Sequence, residues 1–273
     1  KTWDGLMALG EKIKASGMPP WTYQGQYPGY MVTVFGAMVT KHGGNEIMRR
    51  IDNLEDGAWQ QPEVKNVLDA LYELKARGFI MKGTAGMSHT QAQNEWAKHK
   101  AAIIPCGSWL KSEIGSLLPA DFQMAVTPTP SLDESDKMPY ESAPFSSGEV
   151  FYVPAKAKNV PGGLEYLRLM LSKEGAQKFS ELTYTLTIST IAHKEQQLDS
   201  VLESSLAVID AAKAAPRIEQ WKYASWYTRL RDFVEAKMGQ LLTGKLDVKG
   251  FIETVQKEAD KTKKDPKVIK QKR

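Results

Sequence analysis

Two stretches of the sequence carry aromatic and amide side chains of the kind that bind a small polar ligand. The first, residues 18–30, reads Met-Pro-Pro-Trp-Thr-Tyr-Gln-Gly-Gln-Tyr-Pro-Gly-Tyr. Connecting loops are usually short and polar, so a loop so rich in rings and amides indicates a contact surface. Its candidate binding residues are Gln24, Gln26, Tyr27 and Tyr30.

The second stretch begins with residues 101–104, Ala-Ala-Ile-Ile, which we predict to form a short apolar strand. A Pro-Cys-Gly-Ser turn follows and places Trp109 beyond the carboxyl end of that strand. In open α/β sheets, ligands bind beyond these ends, where loops project side chains into a crevice. Trp109 is therefore a candidate platform for a ligand. A tryptophan that pins a helix to the sheet would occupy the same position, so packing is the alternative.

The residue types at these loops suit a carbohydrate. A sugar ring has apolar C–H faces rimmed by hydroxyls, so a binding protein needs flat rings for the faces and amides or carboxylates for the rim. Covering one face removes roughly 50–100 Å² of apolar area from water and contributes on the order of 1–3 kcal/mol. The candidates are Tyr23, Gln24, Gln26, Tyr27, Tyr30, Trp109, Trp226 and Tyr227.

Other chemistries find weaker support in the sequence. No phosphate-binding glycine motif stands between a predicted strand and helix, and Ser108 lacks the second glycine of a nucleophile elbow. His89 and His99 have no acidic partner at metal-ligand spacing, and the single cysteine, Cys106, rules out an internal disulfide. We therefore expect no metal and no cofactor.

An enzyme remains the alternative from another functional class. Glycoside hydrolases use a pair of carboxylates whose separation is spatial and cannot be read from sequence spacing. Glu113, Glu141 and Glu149 are the candidates for such a pair. Ordinary surface acids would have the same sequence pattern.

Length and composition indicate a globular protein. The chain has 273 residues, 42% hydrophobic and 25% charged, which allows one large or two modest domains with a sizeable core. The formal net charge is +4, but residues 245–273 alone hold ten Lys or Arg against five Asp or Glu. Because the excess sits in the last residues and is not spread over a face, we interpret it as a solvated end and predict no nucleic-acid partner.

The periodicity predicts many helices and few strands, which is the pattern of a helix-dominated α/β protein. Strands are expected at 101–104, 123–127 and 149–153. Thr2, Ser88 and Asp247 are expected to cap the N-termini of helices. Asn159-Val-Pro-Gly-Gly is expected to start a helix from which Leu164, Leu167 and Leu171 point inward. Helices are predicted at 2–15, 31–41, 45–52, 62–77, 90–98, 174–182, 194–214, 224–242 and 247–263.

In order along the chain, several of these motifs resemble extracellular solute-binding proteins of carbohydrate ABC importers, the group that includes the maltodextrin-binding protein. They are Lys-Thr-Trp-Asp-x-Leu-x-Ala-Leu at the start, Gly43-Gly44, Ala-Ala-Ile-Ile-Pro-Cys-Gly-Ser-Trp, Val-Thr-Pro-Thr-Pro, Ser-Ser-Gly-Glu-Val and Ala-Ser-Trp-Tyr. The loop at 19–28 is most similar to the N-acetylglucosamine and diacetylchitobiose-binding branch.

The resemblance implies a periplasmic-binding-protein-like fold in which sugar binding between two α/β lobes closes a hinge. It implies stacking roles for Trp109 and Trp226, with Tyr30, or Tyr27 in its place, as the aromatic of the early loop. It also implies polar contacts from Gln24, Gln26, Ser147 and Gly148. The ligand would be a small oligosaccharide, delivered outside the cytoplasm to ABC permease subunits by a monomer that is not an enzyme.

Family members carry a long additional N-terminal stretch that forms most of the first lobe. The resemblance therefore assigns residues 1–152 and 216–273 to the second lobe and 153–215 to a segment returning to the first. The chain begins Lys-Thr-Trp-Asp without an initiator methionine, signal peptide or lipid-attachment cysteine, so we expect it to be processed or truncated. The resemblance implies a cell-surface lipoprotein or a periplasmic protein, with any membrane anchor in the absent N-terminal part. The return segment should then expose apolar surface that has no partner.

Overall fold

We analysed a computed structural model, which describes residues 1–119, 122–144, 150–187 and 198–273. Within these ranges the chain forms α1 (Trp3–Ala15), α2 (Gly29–Gly43), α3 (Asn45–Asp52), α4 (Pro62–Ala76), α5 (His89–Ala97), α6 (Leu110–Ile114), α7 (Val160–Met170), α8 (Lys173–Thr183), α9 (Ser200–Lys213), α10 (Tyr223–Trp226), α11 (Thr228–Thr243) and α12 (Val248–Lys264). No helix among them is long and apolar enough to span a membrane.

The chain divides into two compact units. Unit 1 comprises Lys1–Cys106, Pro128–Pro144 and Ala212–Arg273, and unit 2 comprises Gly107–Thr127 and Phe145–Ala211. The candidate residues of the early loop and Trp226 belong to unit 1, and Trp109 belongs to unit 2. The assignment of chain segments to lobes stays a prediction.

Polar caps begin the helices where the sequence places them. Thr2 Oγ1 accepts a hydrogen bond from Gly5 N, and Asn159 and Asp247 cap α7 and α12 in the same way. At α5, Ser88 and Gln91 bond each other's backbone N–H groups in a capping box. The predicted helix at 224–242 is instead two helices, because Tyr227 leaves the helical conformation between α10 and α11.

The core of unit 1 is built from α2, α4, α11 and α12 around Trp59, which is fully buried. The Trp59 ring stacks on Phe35 at 6.1 Å and meets the ring of Tyr223 edge-on at 5.5 Å. Gln256 on α12 accepts a hydrogen bond from Trp59 N at 2.9 Å. Trp59 is therefore the packing residue that its position between predicted helices indicates, and it supports the start of α10.

Three extended segments run parallel in unit 1. Trp21 forms parallel bridges with both Ile80 and Ile103. Trp21 N donates to Phe79 O at 3.0 Å, and Ile103 N donates to Pro20 O at 2.9 Å. Because the segments are parallel, the loops that follow them leave from one edge.

The predicted strands are shorter than expected. Residues 101–104 contribute a single bridge at Ile103, and residues 123–127 form no ladder within the described chain. Val126 N instead donates to Ser204 Oγ at 2.9 Å. Of the strand predicted at 149–153, Glu149 lies outside the described residues and the rest has no regular structure.

A loop over residues 128–142 is pinned to the end of α2 by two adjacent side chains. Lys41 is buried and donates hydrogen bonds to Thr129 O and to Tyr140 O, the latter at 2.7 Å. His42 Nδ1 lies 3.0 Å from Asp136 Oδ1, and Asp136 Oδ2 accepts from Leu132 N at 2.9 Å. Burial lowers the pKa of Lys41 from 10.5 to about 8, although Asp136 and Glu141 oppose the shift.

We expect the buried Lys41 to make the protein more stable as pH rises above 8. Between about 8 and 10.5 the unfolded lysine keeps its proton while the folded one loses it, so the free energy of unfolding increases with pH. Relative to Lys41→Met, the native protein should gain roughly 1–3 kcal/mol across that window. Urea denaturation of both proteins from pH 7 to pH 10.5 measures the difference, and parallel curves would contradict the burial argument.

Unit 2 places a set of large apolar side chains in solvent. Leu110 and Ile114 of α6 are buried, and Lys111 forms an ion pair with Asp199. By contrast α7 has no buried residue. Side chains 46–66% exposed on and beside α7 and α8 form what we call the α7–α8 apolar face: Leu164, Tyr166, Leu169, Leu171, Phe179 and Leu182. Leu164 and Leu171, which were predicted to point inward, do not reach a core of the described chain, where they are 56% and 55% exposed.

The basic end of the chain is not wholly solvated, which corrects the interpretation from charge. Residues 265–273, here called the tail, leave α12 and contact residues 52–53 and 219–227 through Gln271 and Arg273. Arg273 Nε forms an ion pair with Asp52 Oδ2 at 2.8 Å. The lysines at 267, 270 and 272 stay exposed.

Candidate sugar-binding site

The early loop leaves the common edge of the three parallel segments of unit 1. Gln26 N donates to Met87 O at 3.0 Å, and Gln26 Nε2 donates to Gly86 O at 2.8 Å. A Cβ on Gly25 would lie 2.1 Å from Thr84 O, so only glycine permits this backbone approach. The loop is therefore held at a fixed position against residues 84–87.

The amides of this loop differ in their roles. Gln24 is fully buried, and its Nε2 donates to Pro105 O at 3.2 Å, which ties the early loop to the segment that leads to the Pro-Cys-Gly-Ser turn. Its Oε1 has no hydrogen-bond partner within the described chain. Gln26 is exposed. Gln24 thus fixes the early loop from its buried side, while Gln26 is exposed at the surface of the loop.

Tyr27 and Tyr30 of the early loop differ in how far their rings are exposed. Tyr27 is 56% exposed. Tyr30 is half-buried and stacks on the imidazole of His89, with centroids 5.4 Å apart and an interplanar angle of 23°. Stacking fixes the orientation of the Tyr30 ring, which suits a platform for a sugar face.

Three polar residues that the sequence analysis did not select complete this edge. His89 and Gln93 lie one turn apart on α5, and Gln93 Nε2 is 2.7 Å from His89 Nε2. Glu235 on α11 lies against Gly29, where an added Cβ would be 2.9 Å from its Oε1. Burial raises the pKa of Glu235. The i,i+4 spacing of His89 and Gln93 is a signal that could have identified that pair.

Trp226 also belongs to unit 1 and lies at the end of α10. Its ring is half-buried against the core and meets the ring of Tyr227 edge-on at 6.3 Å. It lines a groove of about 510 Å³ whose walls come from residues 225–229, from α12 and from the tail. Rings, hydroxyls and charged side chains line this groove together.

Trp109 is 43% exposed and precedes α6 in unit 2. Its ring lies over the backbone of Gly107, where an added Cβ would be 1.9 Å from a ring carbon. Glycine at 107 is therefore required for this orientation of the indole. Ser147 and Gly148, the remaining predicted contacts, lie outside the described residues.

The carboxylates proposed for the enzyme alternative are Glu113, Glu141 and Glu149. Glu141 accepts a hydrogen bond from Lys1 Nζ at 2.6 Å, which holds the pKa of Glu141 low and keeps it ionised. A general acid requires the opposite shift. Glu113 is exposed, and Glu149 lies outside the described residues.

Comparison with known families supports one of these interpretations. Residues 1–177 match the model of the bacterial extracellular solute-binding proteins. The chain belongs to this family. Its members are solute-binding proteins, so the hydrolase alternative has no support, and they act outside the cytoplasm, which gives this solute-binding protein an extracytoplasmic location.

Two curated relatives of the solute-binding protein have names that describe sugar binding. It is 31% identical over 273 residues to the diacetylchitobiose-binding protein NgcE of Streptomyces coelicolor, across 99% of this chain and 57% of the relative. It is 28% identical over 112 residues to a probable sugar-binding periplasmic protein of Rhizobium meliloti, across 41% of this chain and 26% of that relative. The chain thus spans little more than half of the NgcE length.

Solved structures confirm the predicted fold class. A chitin oligosaccharide binding protein superposes with a TM-score of 0.74 at 17% identity, covering 96% of this chain and 64% of the other. RafE in complex with raffinose superposes with a TM-score of 0.67 at 19% identity, covering 94% and 64%. The solute-binding protein therefore has the helix-rich, periplasmic-binding-protein-like α/β fold.

Proposed function

We propose that the protein captures a short oligosaccharide of N-acetylglucosamine units, such as diacetylchitobiose, in a cleft between its lobes and delivers it to an ABC import permease. The observation that carries the proposal is the edge of unit 1, where Gln26 and Tyr27 are exposed and the Tyr30 ring is held by stacking on His89. The 31% identity to a diacetylchitobiose-binding protein supports the choice of sugar.

Each group at the site has a role that follows from its chemistry. The rings of Trp109, Trp226 and Tyr30 cover C–H faces of the sugar, with Tyr27 as the exposed substitute for Tyr30. Gln26 and Glu235 satisfy hydroxyls or the acetamido N–H at the rim, and Gln24 holds the loop in place from below. Ser147 and Gly148 are proposed polar contacts on the basis of the family resemblance.

Binding is coupled to closure of the lobes. A sugar that contacts both lobes binds the closed form better than the open form, so it shifts the population toward closure. Permease subunits can then distinguish loaded from empty protein. We propose that the protein acts as a monomer without enzymatic activity, without a nucleic-acid partner, and with a lipid anchor in an N-terminal part of the full-length protein.

Calorimetry combined with chromatography tests the proposal. Diacetylchitobiose, N-acetylglucosamine and maltose are titrated into the full-length protein, and each mixture is then analysed for released monosaccharide. We expect micromolar or tighter binding of diacetylchitobiose, weaker binding of maltose, and intact sugar after incubation. Release of N-acetylglucosamine would overturn the transport role, and equal affinity for maltose would overturn the choice of sugar.

We further propose that residues 153–215 return to the first lobe, while 1–152 and 216–273 form the second. The α7–α8 apolar face supports this assignment, because monomeric proteins rarely expose so many large apolar side chains together. Their burial against first-lobe polypeptide would contribute about 1.5–3 kcal/mol for each fully covered side chain. The apolar face is therefore expected to lie within a lobe of the full-length protein.

Leu169→Glu tests this assignment. In the full-length protein a carboxylate at a covered position should lower the free energy of unfolding by about 2 kcal/mol or more, because its burial is costly. Lys156→Glu, at an exposed position before α7, is the matched control and should change it by less than about 0.5 kcal/mol. Urea denaturation measures both. Equal stability of the two variants would mean that the face stays exposed.

A further inference from the structure

A tyrosine hydroxyl attaches the tail to the polypeptide around Trp226. Tyr227 Oη accepts a hydrogen bond from Gln271 N at 3.1 Å and donates to Gln271 O at 3.4 Å. Tyr227 directly follows Trp226 and is itself buried. The tail thus holds the residue that directly follows α10.

Arg273 attaches the tail at a second place. Asn53 exchanges two hydrogen bonds of 3.0 Å with the Arg273 backbone, one to N and one to O. The guanidinium donates to Gln220 O at 2.7 Å through Nη1, and its Nε lies 2.8 Å from Asp52 Oδ2. These contacts hold Arg273 on the segment that leads into α10.

Asp52 links Arg273 to the start of α10. Its Oδ1 accepts hydrogen bonds from Lys222 N and Tyr223 N, both at 2.7 Å, while Oδ2 faces Arg273. The Asp52 side chain is fully buried, and burial raises its pKa against the opposing effects of these amides and of Arg273. A buried carboxylate that loses a charged partner is strongly destabilised.

The tail therefore contacts both residues that hold the ends of the turn that carries Trp226. Asp52 holds the first end, at Lys222 and Tyr223, and Tyr227 holds the last. We propose that Arg273 is a positioning residue for Trp226, which acts through Asp52 to fix the indole for stacking on the sugar. This inference rests on the proposed function of Trp226. It gives Arg273, which is distant from Trp226 in the sequence and contacts no sugar itself, an indirect role in sugar binding.

The test compares Arg273→Ala, Arg273→Lys and the control Lys272→Ala in full-length protein labelled with 5-fluorotryptophan. Lys272 is the exposed neighbour of Arg273 in the tail. The ¹⁹F resonance of Trp226, assigned by its loss in Trp226→Ala, reports indole position without sugar, and calorimetry reports affinity for diacetylchitobiose. Tyr227→Phe removes only the hydroxyl link and serves as a second variant if Arg273→Ala does not fold.

Arg273→Ala is expected to shift or broaden the Trp226 resonance and to weaken binding about fivefold or more, because a displaced ring loses part of its stacking area. Arg273→Lys should recover part of both effects, Tyr227→Phe should act in the same direction as Arg273→Ala, and Lys272→Ala should change neither readout. An unshifted Trp226 resonance together with unchanged affinity in Arg273→Ala would overturn the inference. If Arg273→Ala does not fold, the same result in Tyr227→Phe would overturn it.

The same variants distinguish a wrong sugar-binding role of Trp226 from a wrong positioning role of Arg273. If Trp226→Ala leaves affinity unchanged, the proposed stacking role of Trp226 is wrong, and with it the binding role of Arg273. If Trp226→Ala weakens binding while Arg273→Ala leaves both affinity and the Trp226 resonance unchanged, the positioning role alone is wrong.

Discussion

Replacing Trp226 with alanine is expected to raise the Kd for diacetylchitobiose ten- to hundredfold. The indole offers a large flat face at the end of α10, and loss of one stacked sugar face costs roughly 1–3 kcal/mol. Calorimetry on the full-length protein measures the change. The fold should tolerate the substitution, because the Trp226 ring is only half-buried at the edge of the core.

Trp226→Phe provides the matched control. Phenylalanine keeps a flat ring at the same position, so its Kd should stay within about threefold of the native value if stacking is the main contribution. Trp59→Phe, in the buried core, should lower thermal stability without changing affinity. Should Trp226→Ala bind as tightly as the native protein, Trp226 is a packing residue and the platform must be sought in the early loop.

Trp109→Ala is expected to weaken diacetylchitobiose binding at least tenfold, by the same loss of stacked area. Two glycines of unit 2 provide a further test of the indole orientation. A Cβ on Gly107 would lie 1.9 Å from a Trp109 ring carbon, whereas a Cβ on Gly115 would meet no atom within 4 Å. Gly107→Ala should therefore weaken binding by displacing the ring, and Gly115→Ala should not.

The outcome for Trp109 separates its two readings. An unchanged Kd in both Trp109→Ala and Gly107→Ala, measured by the same calorimetry, would mean that Trp109 is a packing residue. Weaker binding in Trp109→Ala accompanied by native affinity in Gly107→Ala would keep the platform but show that the ring orientation over Gly107 does not matter.

Helices were predictable because their signals are local. Ser88 and Asp247 cap helices through atoms within three residues, and the apolar periodicity of α4 needs only its own sequence. The extent of the strands was not predictable, because a bridge such as Trp21 to Ile103 joins segments far apart in the chain. Apolar spacing in α7 correctly indicated a helix with an apolar face, but periodicity does not say which polypeptide covers that face.

The candidate site shows the same division between local and distant signals. Composition alone identified the loop at 18–30 and the turn before Trp109. It could not show that Gln24 points inward to Pro105, since burial of one amide depends on the packing of distant segments. The pairing of Asp52 with Arg273 was hidden for the same reason, and the charge pattern of the tail suggested a solvated end.

The central claim is that indole rings of this protein hold the sugar, and ¹⁹F NMR of the 5-fluorotryptophan-labelled full-length protein tests it most directly. The chain holds seven tryptophans, of which Trp3, Trp21, Trp59 and Trp96 are buried. Diacetylchitobiose should shift the resonances of Trp109 and Trp226, assigned by their loss in the alanine variants, and leave that of Trp59 unchanged. Saturable sugar binding that moves neither the Trp109 nor the Trp226 resonance would contradict the account.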